Sequence, residues 1–248
     1  MDSLDTAVGS SSAACASTLP GCAGRRSIRV MDRSGRSHDD TFESLQPTSH
    51  ERRSGETWDA LYRRGAAPWD IGSPQPAVKR LAAQDRFVGN VLDAGCGTGE
   101  NSLHIASLGV PVLGTDVAET AIAIAREKAD VRGVDAEFLR ADALQLKGLG
   151  RTFRTVFDCG LFHTLDEGER ARYVASLASV TEPGARLYVL CFSDEGPELG
   201  PHPVSQEELK ASFAPGSGWE IVSIESDWIQ ARFGDAGIPA WLATIIRL

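Results

Sequence analysis

From residue 90 onward the chain alternates short apolar runs with longer stretches in which apolar positions recur every three or four residues. The apolar runs predict strands near 90–94, 111–116, 135–139, 154–158 and 186–192. The helical spacing between them predicts helices near 100–108, 118–130, 167–181 and 205–213, the last opened by Ser205-Gln-Glu-Glu208, a capping box. Two more strands, near 219–228 and 240–247, follow one another with no long helix between them. That spacing predicts a hairpin, so one late strand should run antiparallel. Upstream, Trp58, Leu61 and Tyr62 share one helical face, and Val78, Leu81 and Ala82 share another in a helix over 76–85. The two helices are joined by Ala67–Pro76, a stiff, turn-rich link. Strand–helix alternation of this kind specifies an α/β fold, with seven strands in a mostly parallel sheet, one of them antiparallel, and helices on both faces.

Residues 1–52 break the pattern. They are rich in Ser, Ala, Gly and Arg, and Phe42 is their only aromatic residue. Such a segment buries too little apolar surface to offset the entropy of ordering it. It is expected to be a disordered extension on a domain spanning 53–248, so deleting residues 1–50 should leave melting temperature and ligand binding nearly unchanged. Arg25-Arg26 is followed by no apolar stretch, which excludes a twin-arginine export signal. A transit peptide, or a true start at Met31, are the other readings of this segment.

Hydrophobic residues make up 42% of the chain, enough for a sizeable core, and no apolar run approaches the ~18–20 residues that span a bilayer. A net charge of −9 argues against a nucleic-acid partner, for which a basic face is expected. The five cysteines are scattered and include no CxxC pair, as expected of reduced thiols in a cytoplasmic protein. No histidine joins them at zinc-ligand spacing, so no metal is expected. Nothing in the sequence calls for an obligate protein partner.

The chemistry starts at Val-Leu-Asp93-Ala-Gly95-Cys-Gly97-Thr-Gly99-Glu100, a strand, a glycine-rich turn and a helix start. Glycines let backbone approach a ligand without Cβ clashes. Asp116 ends the next strand, where a carboxylate suits ribose hydroxyls. The dinucleotide fingerprint needs glycine at position 100, and Glu100 there repels a pyrophosphate while tolerating an ammonium group. Asp93 adds negative charge. The ligand indicated is a nucleoside with cationic character and no phosphates: S-adenosylmethionine (SAM). A nicotinamide oxidoreductase is correspondingly disfavoured.

D-x-G-x-G-x-G followed by an acid ending the next strand resembles motifs I and II of class I SAM-dependent methyltransferases, whose sheet is Rossmann-like and seven-stranded. In an open α/β sheet the ligand lies beyond the carboxyl ends of the strands. Four such ends each carry an acid here: Asp93–Gly99, Asp116–Val117, Ala141-Asp142-Ala143 and Asp158–His163. The resemblance implies that Asp116 binds the ribose, that Asp142 or the Ala143 backbone reads the adenine, and that Gly95 touches the methionine part. Trp-x3-Tyr-x6-Trp-Asp-x-Gly-x-Pro-x-Pro, over Trp58, Tyr62 and Trp69, resembles the thiopurine/thiol methyltransferase-like branch and its actinobacterial small-heterocycle members, which methylate hydroxyquinolone-type toxins. Gly160–Asp166 and Pro203–Leu209 extend the match, which covers roughly 54–248. Tyr62 departs from the tryptophan of plant thiol methyltransferases.

Indole faces attract cations by roughly 0.5–2 kcal/mol, so Trp58, Tyr62 and Trp69 are candidates for a lid over a sulfonium, against ordinary core packing. His163, just after the fourth strand, is the candidate general base. Cys159 and Cys191 read as small core residues. The expected activity is methyl transfer from SAM to O, S or N of a small heterocyclic or aromatic acceptor, in detoxification or secondary metabolism. Two alternatives remain. One is a non-catalytic SAM-binding regulator. The other is a nucleic-acid methyltransferase, which fits poorly because Asp158-Cys-Gly-Leu161 stands where amino-methylases carry [DN]-P-P-[FY].

Overall fold

The structure, a computed structural model, describes residues 47–65, 67–196, 202–232 and 237–248. Seven strands form one sheet: β1 (Val91–Ala94), β2 (Val112–Asp116), β3 (Glu137–Arg140), β4 (Phe153–Cys159), β5 (Thr181–Phe192), β6 (Trp219–Ile229) and β7 (Ile238–Arg247). Their spatial order is β3-β2-β1-β4-β5-β7-β6. The first five are parallel, and β7 runs antiparallel to both β5 and β6, as the missing crossover helix predicts. The helices are α1 (Ser49–Ser54), α2 (Trp58–Arg63), α3 (Pro76–Ala83), α4 (Glu100–Ser107), α5 (Glu119–Arg132), α6 (Glu167–Ala178) and α7 (Gln206–Ser212).

Alternation along the strands sends successive side chains into two cores. Leu92, Val156 and Leu187 enter one, with Tyr173, Val174 and Leu177 of α6 and Leu209 of α7. Val91, Phe157 and Tyr188 enter the other, with Ala77, Val78 and Leu81 of α3 and Ile105 of α4. The helices therefore cover both faces. β1 pairs with β2 on one side and β4 on the other, so the chain reverses its direction of travel across the sheet at β1. A crevice opens beyond the carboxyl ends of β1 and β4 at that switch point.

Two boundaries differ from expectation. The helix expected to reach 181 stops at Ala178, where the hydroxyls of Ser179 and Thr181 bond back to the carbonyls of Ser176 and Leu177. β5 then begins at Thr181, because Pro183 cannot continue a helix. The larger difference is at the N-terminus. Of the extension expected over 1–52, residues 1–46 lie outside the described residues. Residues 49–52 form most of α1, which is held by a Thr48/Glu51 capping box and closed by Gly55 in the left-handed region. Among the described residues no helix is long and apolar enough to cross a membrane.

Candidate active site

The crevice is a cleft of about 410 Å³, built from four strand ends and covered by segments upstream of β1. Its floor is the turn after β1. The amides of Gly95 and Cys96 both donate to the Thr115 carbonyl, at 2.8 and 2.9 Å, which pins the turn to the end of β2. Gly97 has φ +54°, and a Cβ there would stand 2.8 Å from the Tyr62 hydroxyl, so only glycine admits the close approach of α2. Asp116 binds this turn directly. One carboxylate oxygen accepts the Gly97 amide and the other the Ala118 amide, both at 2.9 Å. Burial pushes its carboxyl up, the two amides pull it back, and it rests at about 6. Val117, Asp142 and Ala143 line the same half of the cleft. Asp142 caps the 3-10 turn Ala143–Leu149, its carboxylate accepting the Leu144 amide at 2.8 Å.

Gly95, Gly97, Asp116, Val117, Asp142, Ala143, Trp58, Tyr62, Trp69 and His163 thus converge on one cleft. Three expected site residues lie off its wall. Asp93 is wholly buried and accepts the Ser102 hydroxyl at 2.6 Å, tying β1 to α4. Burial pushes it to about 7 against that hydrogen bond. Asp158, also buried and pushed by burial to about 7, accepts the amides of Leu161 and Phe162 at 2.9 and 3.3 Å and so shapes the turn after β4. Gly99 has φ +83° at the start of α4, and a Cβ there would meet the Phe138 ring at 2.8 Å and Ala125 at 2.9 Å. Its glycine serves helix packing. The electrostatic role expected of Glu100 also changes. Arg132 binds it with two contacts of 2.8 Å and Lys128 with one of 2.8 Å. Burial alone would raise its carboxyl, but these cations hold it below the usual range and offset its charge. Glu100 is a counter-ion within the fold and a weak repellent of phosphate.

The cover is aromatic. The Trp69 indole donates to the Tyr62 hydroxyl at 3.1 Å, and its ring meets Trp58 edge-on with centroids 5.8 Å apart. His50 of α1 stacks on Trp58 at 4.5 Å. Prolines are not the only source of the link's stiffness. The Thr98 hydroxyl donates to Asp70 at 2.7 Å and accepts from Lys128 at 2.7 Å, fastening the link to the glycine turn. Gln75 exchanges two hydrogen bonds of 2.9 Å with the Gln230 backbone, and the Arg232 amide donates to the Pro68 carbonyl at 2.7 Å. Thr48, His50, Asp70 and Phe192 line the cleft without having been named as site residues. Thr48-x-x-Glu51 is a capping signature that marks the first two in the sequence, Asp70 follows Trp69 in the link motif, and nothing local marks Phe192.

His163 sits in the 3-10 turn Phe162–Thr164 after β4, its ring flat against Phe192 at 4.0 Å and 9°. Its Nδ1 accepts the Phe192 amide at 3.1 Å. In a neutral imidazole the proton then resides on Nε2. Burial, with Arg170 nearby, lowers its pKa to about 3, so the ring is neutral at ordinary pH. Such a ring donates a hydrogen bond and offers no free lone pair for proton abstraction. Leu161, Thr164 and Leu165 flank it, and Ile229 and Ala231 line the same cleft. The Cys159 thiol also reaches the cleft, and burial pushes its pKa well up. Among the described residues no cluster of three or more His, Cys, Asp or Glu is placed to hold a metal.

Residues 91–184 match the model of a family described as a methyltransferase domain. The chain is 38% identical over 172 residues to the 2-heptyl-1-hydroxyquinolin-4(1H)-one methyltransferase of Mycobacteroides abscessus, covering 68% of this chain and 75% of the other. It is 30% identical over 171 residues to probable thiol methyltransferase 2 of Arabidopsis thaliana, covering 67% and 75%. A structure solved in work on the conversion of a disulfide bond into a thioacetal group during echinomycin biosynthesis superposes with a TM-score of 0.70 at 37% identity, covering 77% of this chain and 90% of the other. Sheet order, glycine turn, strand-end Asp116 and these relatives agree: the chain belongs to the SAM-dependent methyltransferases.

Proposed function

We propose that the chain methylates O, S or N of a small, flat heterocyclic or aromatic acceptor, by direct transfer, in detoxification or secondary metabolism. The observation that carries this reading is the division of one cleft into two chemically distinct halves. One half has the glycine turn, Asp116 and Ala143. The other has His163 flat on Phe192 among Leu161, Leu165, Ile229 and Ala231. The similarity to hydroxyquinolone and thiol methyltransferases supports the same acceptor class.

The cofactor half suits SAM. Asp116, with each oxygen already holding one amide, keeps lone pairs for two ribose hydroxyls. SAM supplies an electrophilic methyl group on a sulfonium. Asp116 would hold the ribose, the Ala143 backbone would meet the adenine, and the Trp58, Tyr62 and Trp69 rings would cover the methionine end and exclude water. On the acceptor half, His163 Nε2–H donates to an acceptor oxygen or thiolate and stabilises its anionic form. The acceptor therefore arrives ionised or loses its proton to solvent, and positioning supplies most of the rate.

A panel of hydroxyquinolones, phenols, thiols and halides with labelled SAM tests the reading. Methylation of an acidic N-hydroxy heterocycle, phenol or thiol is expected. Stabilisation by SAM with no turnover on any member would favour a SAM-binding regulator instead.

A further inference from the structure

Part of the wall of the acceptor half comes from α1, through His50 and the preceding Thr48, and α1 is held by a buried carboxylate that none of the proposed chemistry uses. Glu169 is only 2% exposed. As the third residue of a capping box on α6, it needs to accept only the Asp166 amide, which it does at 3.1 Å. Both of its oxygens take further bonds from a residue 120 positions upstream. Oε1 accepts the Ser49 amide at 2.7 Å and Oε2 accepts the Ser49 hydroxyl at 2.5 Å. The Ser49 oxygen in turn accepts the Asp166 amide at 3.1 Å, and its hydroxyl also lies 3.3 Å from the Thr164 carbonyl. Arg52, one turn along α1, stands 3.4 Å from Glu169 and 3.3 Å from Asp166.

This is more than a helix cap. Three of the contacts to the Glu169 carboxylate come from α1: the Ser49 amide, the Ser49 hydroxyl and Arg52. If α1 lifted, the carboxylate would keep one amide in a buried site, a costly arrangement for a charge. The residues it fastens are those at the acceptor. Ser49 lies between Thr48 and His50, which line the cleft, and bonds to the segment Thr164–Asp166, whose first two residues line it from the other side. Trp58 follows. Its amide donates to Glu51 at 2.9 Å, its indole to the Thr48 hydroxyl at 3.2 Å, and its face to the His50 ring. We infer that Ser49 and Glu169 are positioning residues that latch α1 over the cleft and thereby set the shape of the acceptor site, reaching the cofactor half only indirectly, through Trp58. The inference rests on the small-acceptor reading above for its effect on KM, but not for the latch itself.

Full-length Ser49→Ala and Glu169→Gln test it. Ser49→Ala should raise the acceptor KM about tenfold, the scale of losing hydrogen bonds to a charged group, while the SAM dissociation constant stays within about twofold and kcat changes little. Glu169→Gln sets an amide donor against the Ser49 or Asp166 N–H and removes the Arg52 ion pair, so its rise should be at least as large. Amide hydrogen exchange should quicken over residues 49–58 in both variants and stay unchanged in β1 and β4. Equal losses of SAM and acceptor affinity, tracking a lowered melting temperature, would reduce Glu169 to a general fold contact and overturn the inference. Unchanged exchange over 49–58 would also overturn it, whatever the kinetics. Exchange needs no acceptor, so a wild-type chain that methylates nothing sinks the proposed function while the latch is still judged.

Discussion

Asp116 carries the cofactor half through one carboxylate, and its environment fixes how that half responds to pH. Burial raises its pKa to about 6, and the ionised form is the one that accepts ribose hydroxyls. SAM affinity should therefore be full above that value and fall as pH drops through it, and Asp116→Asn should flatten the profile. Asp116→Ala should raise the SAM dissociation constant tenfold or more, since lost hydrogen bonds to a charged acceptor cost about 1.5–3 kcal/mol. Calorimetry checks both, and unchanged affinity removes Asp116 from the ribose. His163 makes the opposite kind of prediction. Its pKa of about 3 and occupied Nδ1 leave no titration near neutrality. The acid limb of kcat/KM should then follow the pKa of each acceptor across a series, and His163→Ala should lower kcat/KM without moving that limb. With SAM saturating, so that Asp116 does not contribute, a limb fixed near 6–7 for every acceptor and lost in His163→Ala would restore His163 as a base. The sequence marks the residue, since it follows a strand end at the switch point, but not its tautomer. The Phe192 amide that sets the tautomer is 29 residues away and arrives only when β4 and β5 pair.

The elements around the cleft divide by how much of their reason to exist is local. β1, β2 and α4 to α7 fall within a few residues of their expected bounds, because apolar period, caps and glycines all lie inside them. The glycine turn and Asp116 are legible for the same reason. α1 is not, because most of what holds it is distant. It has six residues and buries only Ser49, so its stability comes from Glu169 and Trp58 rather than from an apolar stripe. The expectation that residues 1–50 can be removed without consequence changes accordingly. A chain beginning at residue 51 loses Thr48, Ser49 and His50, and its acceptor KM should rise at least as much as in Ser49→Ala, whereas one beginning at residue 47 should match the full chain. Equal kinetics for the two truncations would show that α1 does not wall the site. Trp69 belongs to this scale as well. It is 39% exposed and held by Tyr62, Trp58 and the fastened link, outside the sheet core. Trp69→Ala should weaken SAM binding and turnover with the melting temperature nearly unchanged. Unfolding at room temperature would make it a core residue instead.

Over the whole molecule, topology was legible where connection lengths decide it. A crossover helix between strands forces parallel pairing, and its absence before β7 forces the antiparallel turn, so the sheet follows from spacing. The fate of the acids does not. Asp93, Asp116 and Asp158 look alike in sequence, each an acid at a strand end, yet two face into the fold and one lines the cleft. Which way each points depends on the pleat at its position and on partners such as Ser102 and the Leu161 amide. The two inward acids are neighbours, since Ala94, next to Asp93, pairs with Asp158 across β1 and β4. Burial first, with the nearby Asp116 charge for Asp93 and the Asp93 charge for Asp158, raises both from 3.8 to about 7. The folded chain therefore holds protons that the unfolded chain releases, so these groups favour folding fully at low pH and lose that contribution as pH rises through 7. Because they interact, the loss belongs to the pair. The melting temperature of the cofactor-free protein should decline by several degrees between about pH 4.5 and 7.5, most of the span from the unfolded 3.8 to the raised values, and level off above it. Asp93→Asn removes one of the two charges while keeping an oxygen for the Ser102 hydroxyl. It should start no more stable than wild type at the acid end, because its amide gains an unpartnered donor where Asp93 Oδ1 has no hydrogen bond. Its melting temperature should then decline only about half as steeply, because buried Asp158 still titrates, and it should overtake wild type as pH approaches 7. Thermal scans across that range decide the matter, and a slope as steep in Asp93→Asn as in wild type would mean that the sheet accommodates both charges ionised.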